Sequence, residues 1–152
     1  MAASGDSPAR RGLIFLAFIV SVAIVIYVGV GSYVALSQRP GLRPGTDGIR
    51  LFFLVAGFAC LAGAFLAAPR SRDGAATAPA LPPGAIRLRF FRALVLSSAG
   101  AIFGLVGTFI TSRVELVLIL GVGALAVNLL WALPQALRLL GEAEAPTTAG
   151  GA

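Results

Sequence analysis

Very few side chains in this sequence could take part in a reaction, and their types restrict the chemistry open to them. There is no histidine, all 12 basic residues are arginine, and the acids number 6. Ser97 and Ser98 carry hydroxyls that become nucleophiles only beside a base able to take their proton, and neither histidine nor lysine is present to do so. The sequence contains no G-x-S-x-G elbow, no H-E-x-x-H pair and no phosphate-binding loop. Without histidine the usual haem ligand and the commonest zinc ligand are missing. The single Cys60 can form neither an internal disulfide nor a thiolate cage. The expectation is a non-enzyme with no cofactor and no metal site.

What remains is hydrogen bonding between neutral groups. Ser21, Cys60, Ser97 or Ser98, and Asn128 stand inside long apolar runs, each roughly 9–15 Å from the same end of its run at 1.5 Å per residue. They form a candidate polar layer of Ser21, Ser97, Ser98 and Asn128, with Asn128 the strongest hydrogen-bonding member. Such a layer can tie helices together or, alternatively, line a constriction for a small solute. No charged residue occupies the middle of any apolar run, whereas proton- and cation-coupled carriers place an ionisable group there. Glu115 lies within a turn of Arg113, where an interfacial ion pair accounts for both.

The elements that must position these residues are apolar helices. The chain of 152 residues is 58% hydrophobic and 12% charged, with a mean hydropathy of +0.94. A soluble domain carries about 25% charged residues, so the bilayer is the better solvent for this one. Four spans follow, over residues 13–37, 49–68, 88–112 and 115–133, within one helical domain covering 13–140. The expected fold class is an all-α membrane protein of four transmembrane helices. Residues 1–12 and 141–152 are small and polar and read as disordered tails. Pro40 and Pro44 stop the first span, Pro69 closes the second, and Pro134 should bend or restart the fourth helix. The first run, about 25 residues long, exceeds the h-region of a cleavable signal peptide, so a retained span is expected.

The third span carries the clearest spacing of small residues. Gly100 and Gly104 form G-x-x-x-G, Ala93, Ser97 and Ala101 make a neighbouring row, and Gly107 follows. Ala59 and Gly63 give a weaker version on the second span. Small residues four apart let helix backbones approach closely in lipid. The expected packing positions are therefore Ser97, Gly100, Ala101, Gly104 and Gly107, serving internal contacts or a second copy.

The run RALVLSSAGAIFGLVG resembles the proteolipid rotor subunits of rotary ATPases. That resemblance implies a carboxylate at mid-membrane, and no Asp or Glu stands there. The number of spans is similar to that of small multidrug transporters, which implies a membrane-embedded glutamate, again missing. A looser resemblance, without a diagnostic motif, is to a four-helix accessory protein of ATP synthase assembly. No family assignment follows.

Sliding the chain on itself until Ser21 meets Ser97 also pairs Ala23 with Ala99, Ile26 with Ile102, Val30 with Val106 and Gly31 with Gly107. In that frame Ser32 meets Thr108, and a second frame sets Pro69 on Pro134. The pattern fits two duplicated helical hairpins in parallel orientation, related by a pseudo-twofold along the membrane normal.

The net charge of +6 could point to nucleic acid, but the arginines flank apolar runs instead of clustering on a polar domain. Membrane lipids are the expected partners, with a homo-oligomer or membrane-protein partner besides and no nucleic acid. Arg87, Arg89 and Arg92, interleaved with Phe90 and Phe91, are the expected headgroup contacts. Arg10, Arg11, Arg70, Arg72, Arg87, Arg89, Arg92 and Arg138 fall on one side, against Arg39, Arg43, Arg50 and Arg113 on the other. The positive-inside rule then puts both termini in the cytoplasm. Arginine without lysine, with abundant alanine and glycine, is the composition of a GC-rich bacterial coding sequence, which makes the membrane a bacterial plasma membrane. The functional expectation is a structural or accessory membrane subunit; the alternative is a small transporter or pore at the layer around Asn128.

Overall fold

The computed structural model describes residues 7–37, 47–70 and 81–144, and these contain helices and short connections with no strand. Helix α1 runs Pro8–Ser37, α2 Asp47–Ala67, α3 Pro83–Thr111 and α4 Val114–Ala126. A π-helical segment, Val127–Ala132, joins α4 without interruption to α5, Leu133–Glu144. Four helical rods, counting α4 to α5 as one, are long and apolar enough to cross a membrane. With 30 residues, α1 is about 45 Å long, more than the roughly 30 Å of a hydrocarbon core.

Several ends differ from the sequence reading. Residues 8–12 are helical, because Pro8 is preset for a first turn and Ser7 supplies its carbonyl to the amides of Arg10 and Arg11 at 2.9 and 3.1 Å. Helix α3 starts at Pro83, with Pro82 extended before it, well ahead of the expected 88. Pro134 neither stops nor restarts the last helix, which continues through 141–144, where Arg138 Nε donates to Glu142 Oε1 at 3.0 Å. The expected disorder at 1–6 and 145–152 lies outside the described residues. So do the first loop and Arg39, Arg43 and Arg72.

The rods have a rhombic cross-section. Helices α3 and α4 touch each other and both flanking helices, whereas no Cα of α1 comes within 8 Å of one in α2. Of the two expected hairpins, α1–α2 and α3–α4, only the second is packed, while α2 packs on α3. The packing of α1 and α2 adds no support to the duplicated-hairpin expectation; Ser21 and Ser97, and Gly31 and Gly107, are nonetheless buried on parallel helices.

Glycine sets the approach of α3 to its neighbours. A Cβ at Gly104 would lie 2.9 Å from the Leu116 carbonyl oxygen and 3.2 Å from Val117 Cα, both backbone atoms of α4. At Gly100 it would stand 3.3 Å from the Gly57 carbonyl oxygen of α2, and at Gly107 3.0 Å from both Phe53 and Leu116. Ala93, Ser97 and Ala101 complete this buried face. On α2 the buried row is Phe53, Gly57, Leu61 and Ala64, not the Ala59–Gly63 pair: Ala59 is exposed and Gly63 is only half-buried. Gly57 is favoured because the Leu120 side chain of α4 fills the space where its Cβ would be.

The α3–α4 turn needs only Ser112 and Arg113. Ser112 takes the left-handed conformation (φ 56°) and its amide donates to the Thr108 carbonyl at 2.7 Å. Thr108 Oγ1 then donates to the Arg113 carbonyl at 3.0 Å and accepts from the Val117 amide at 3.2 Å, so one buried hydroxyl closes both helix ends. Outside, Phe15, Tyr33, Leu36, Phe52, Leu66 and Leu130 are each more than 60% exposed, an inversion of soluble proteins that suits hydrocarbon.

Replacing Gly104 with alanine forces α4 outward and should cost about 1–3 kcal/mol. Gly29→Ala, with nothing within 4 Å of the new Cβ, should be neutral or slightly stabilising. Thermal melts of the two variants in one detergent compare them directly.

Candidate polar site in the bundle core

The buried interior is divided into two apolar clusters along the bundle axis. The first, at the end where α1 and α3 begin, includes Ala17, Ala68, Phe90, Leu94, Ala132 and Leu140. The second comprises Ile24, Leu61, Ala101, Leu120 and Ala124. Each rod passes between them at one buried position: Ser21 on α1, Ala64 on α2, Ser97 on α3 and Asn128 in the π segment. Helical periodicity requires this, since each position lies three or four residues from a member of either cluster. The layer is about 20 Å from the first residues of α1 and α3, deeper than the sequence suggested, because both helices begin earlier.

Ser97 Oγ donates to Asn128 Oδ1 at 2.6 Å and lies 2.9 Å from the Leu94 carbonyl oxygen. A hydroxyl has one proton. Both contacts are satisfied together if Asn128 instead turns its Nδ2 toward Ser97 Oγ and the hydroxyl donates to Leu94. In either orientation Ser97 and Asn128 cross-link α3 to the fourth rod. Asn128 Nδ2 as placed has no acceptor, and Ser21 Oγ has no partner. These are the layer's two unsatisfied buried atoms.

Two sequence candidates fall outside the layer. Ser98 Oγ donates to the Leu94 carbonyl of its own helix at 2.8 Å, and the residue faces a groove between α1 and α3. Cys60 is a free, half-buried thiol. The layer is neutral and closed, and what it can do chemically is exchange hydrogen bonds. An ion stripped of water would meet one amide, two hydroxyls and no counter-charge.

The π segment lets the rod that carries Asn128 accommodate Pro134 six residues later. Pro134 has no amide hydrogen, and in a regular α-helix its ring would collide with the Leu130 carbonyl. The wider turn, in which the Leu133 amide donates to the Asn128 carbonyl five residues back, relieves that collision while the helix continues.

The arginines expected at headgroups, Arg87, Arg89 and Arg92, are all exposed near the start of α3. At the same end Arg70 caps α2, its Nη2 donating to the Phe65 carbonyl at 3.1 Å and its guanidinium 5.0 Å from the Phe65 ring. Phe65 in turn stacks on Trp131 at 4.6 Å. This Arg70–Phe65–Trp131 stack and the Thr108 bridge are missing from the sequence reading. The visible trace of the first is Trp131, the one tryptophan, near the end of the fourth span. A hydroxyl one turn before a two-residue polar connection was the trace of the second.

Comparison with protein-family models, curated proteins and solved structures finds no match to this chain.

Ser97→Ala should leave Asn128 with no side-chain partner and cost about 1–2 kcal/mol. A cycle with Asn128→Ala should give a coupling near 0.6 kcal/mol, read from denaturation in mixed micelles. Deleting Leu130 should remove the π turn and keep the register of α5, but bring Pro134 against a carbonyl at a cost of about 3 kcal/mol. Adding Pro134→Ala to the deletion should recover most of that loss in the same assay.

Proposed function

We propose that this chain is a four-span subunit of a bacterial plasma membrane, both termini in the cytoplasm, whose role is structural or accessory and not enzymatic. The observation that carries this reading is how the interior is used. Among the described residues its contacts are mainly glycine against backbone and apolar against apolar, with one thin neutral layer and the Thr108 and Thr111 hydroxyls near the α3–α4 turn. The charged side chains of those residues belong to the helix ends and the turns beside them. An interior of that kind holds helices in place and presents an apolar outer wall to lipid and to a partner protein or a second copy. Among the described residues the end where α1 begins bears Arg10, Arg11, Arg70, Arg87, Arg89, Arg92 and Arg138, against Arg50 and Arg113 at the other; with Arg72 on the first side and Arg39 and Arg43 on the second, taken from the sequence, the bias supports the cytoplasmic assignment.

Asn128 Nδ2 and Ser21 Oγ, buried without partners, favour a second reading: a small transporter or pore in which a solute exchanges hydrogen bonds with the layer.

Extraction in mild detergent should bring down a stoichiometric membrane partner or a defined oligomer; a lone stable monomer counts against the accessory role. A periplasm-active reporter fused after Ala152 should stay silent. In liposomes the transporter reading requires a flux that Asn128→Leu changes, and the accessory reading expects none.

A further inference from the structure

Two hollows lie one above the other on the seam between α1 and α3. The outer one, about 390 Å³, is bounded by Ser7, Pro8, Ala9, Gly12 and Leu13 of the α1 end and by Arg87 of α3. The inner one, about 310 Å³, is bounded by Leu16 and Val20 of α1 and by Phe91, Val95, Ala99 and Ile102 of α3, over a floor of Leu94 and Ser98. Along α1 the walls follow 9, 12, 13, 16 and 20; along α3 they follow 87, 91, 95, 99 and 102. Both series keep to one helix face, so the hollows form a single furrow. The change from Arg87 to Phe91 is one helical turn, about 6 Å.

The chemistry changes along this furrow as it does along a phospholipid. Its outer part offers the exposed guanidinium of Arg87. Its inner part is apolar, since the one hydroxyl there, that of Ser98, is already bonded to the Leu94 carbonyl. We infer that the α1–α3 seam is a binding site for one anionic phospholipid, its phosphate held by Arg87 and one acyl chain lying in the furrow between Leu16 and Ile102. The guanidinium fork suits a phosphate's oxygens, and the acyl chain covers walls that α2 and the fourth rod leave open. This inference rests on the membrane reading above and gives its lipid partner a place and a charge.

The full chain, purified in detergent, is titrated with phosphatidylglycerol and with phosphatidylcholine and weighed intact by native mass spectrometry. One phosphatidylglycerol should be retained in preference to phosphatidylcholine. Arg87→Gln should lower that retention about fivefold, the worth of one arginine near a charged surface. Arg138→Gln, at the same end but on α5, should leave it unchanged. Ala99→Trp, which fills the inner furrow, should abolish the preference. Equal retention of both lipids, or equal losses from Arg87→Gln and Arg138→Gln, would overturn the site and leave only diffuse attraction to charge. Arg87 is exposed, so its variant keeps the test decisive even if Ala99→Trp does not fold. Failure of the wild-type chain to stay with vesicles after alkaline extraction overturns the membrane reading itself, a result distinct from loss of lipid preference.

Discussion

The approach of Gly104 to the backbone of α4 is the contact on which the rest of the bundle depends. In hydrocarbon, apolar side chains gain nothing by leaving lipid for one another, so helices associate through dispersion and weak polar contacts that require closeness. The small face of α3 supplies it on two sides at once, with Gly100 toward α2 and Gly104 toward α4. Because both neighbours meet α3 there, α3 and α4 form the short diagonal, and α1 is left to lean on the pair.

Against that apolar scheme the polar layer works as a register mark. Three helices can slide past one another in steps when their contacts are only alanine, glycine and leucine. A buried hydroxyl and amide that must meet allow far fewer positions. Ser97 and Asn128 meet across α3 and the fourth rod, and the π turn that begins at this level accommodates a proline two residues beyond its end. Thr108 acts similarly near the α3–α4 turn, where one side chain serves both helices. The two bridges lie on α3 about 16 Å apart, at 1.5 Å per residue, and hold the same pair of rods at two heights.

Much of this was legible in the sequence because the bilayer's demands are coarse. Apolar runs of sufficient length, punctuated by Pro40, Pro44 and Pro69, announce the helices, and the spacing of Gly100, Gly104 and Gly107 marks the face of α3 that is buried. Finer features depend on which helix stands opposite, and no run of one helix encodes that. Ala59 and Gly63 have the spacing of a packing pair, yet Leu120 selects Gly57 instead. Pro134 reads as a bend or restart when its effect is judged in an α-helix, whereas a π turn relieves the collision. Ser97 and Ser98 are indistinguishable as letters, and only the position of Asn128 separates the cross-link from the hydroxyl satisfied within its own helix.

The separation of α1 from α2 bears on how such a molecule comes together. Helices enter a membrane in chain order, and the first two have no surface for each other in the finished bundle. In a bilayer each would stand as a solitary rod until α3 brings its small face to α2, and α1 would gain its second support with α4. On that order the α2–α3 pair in the middle of the chain comes together first, and α1, although made first, gains its full seat only once α4 is beside α3.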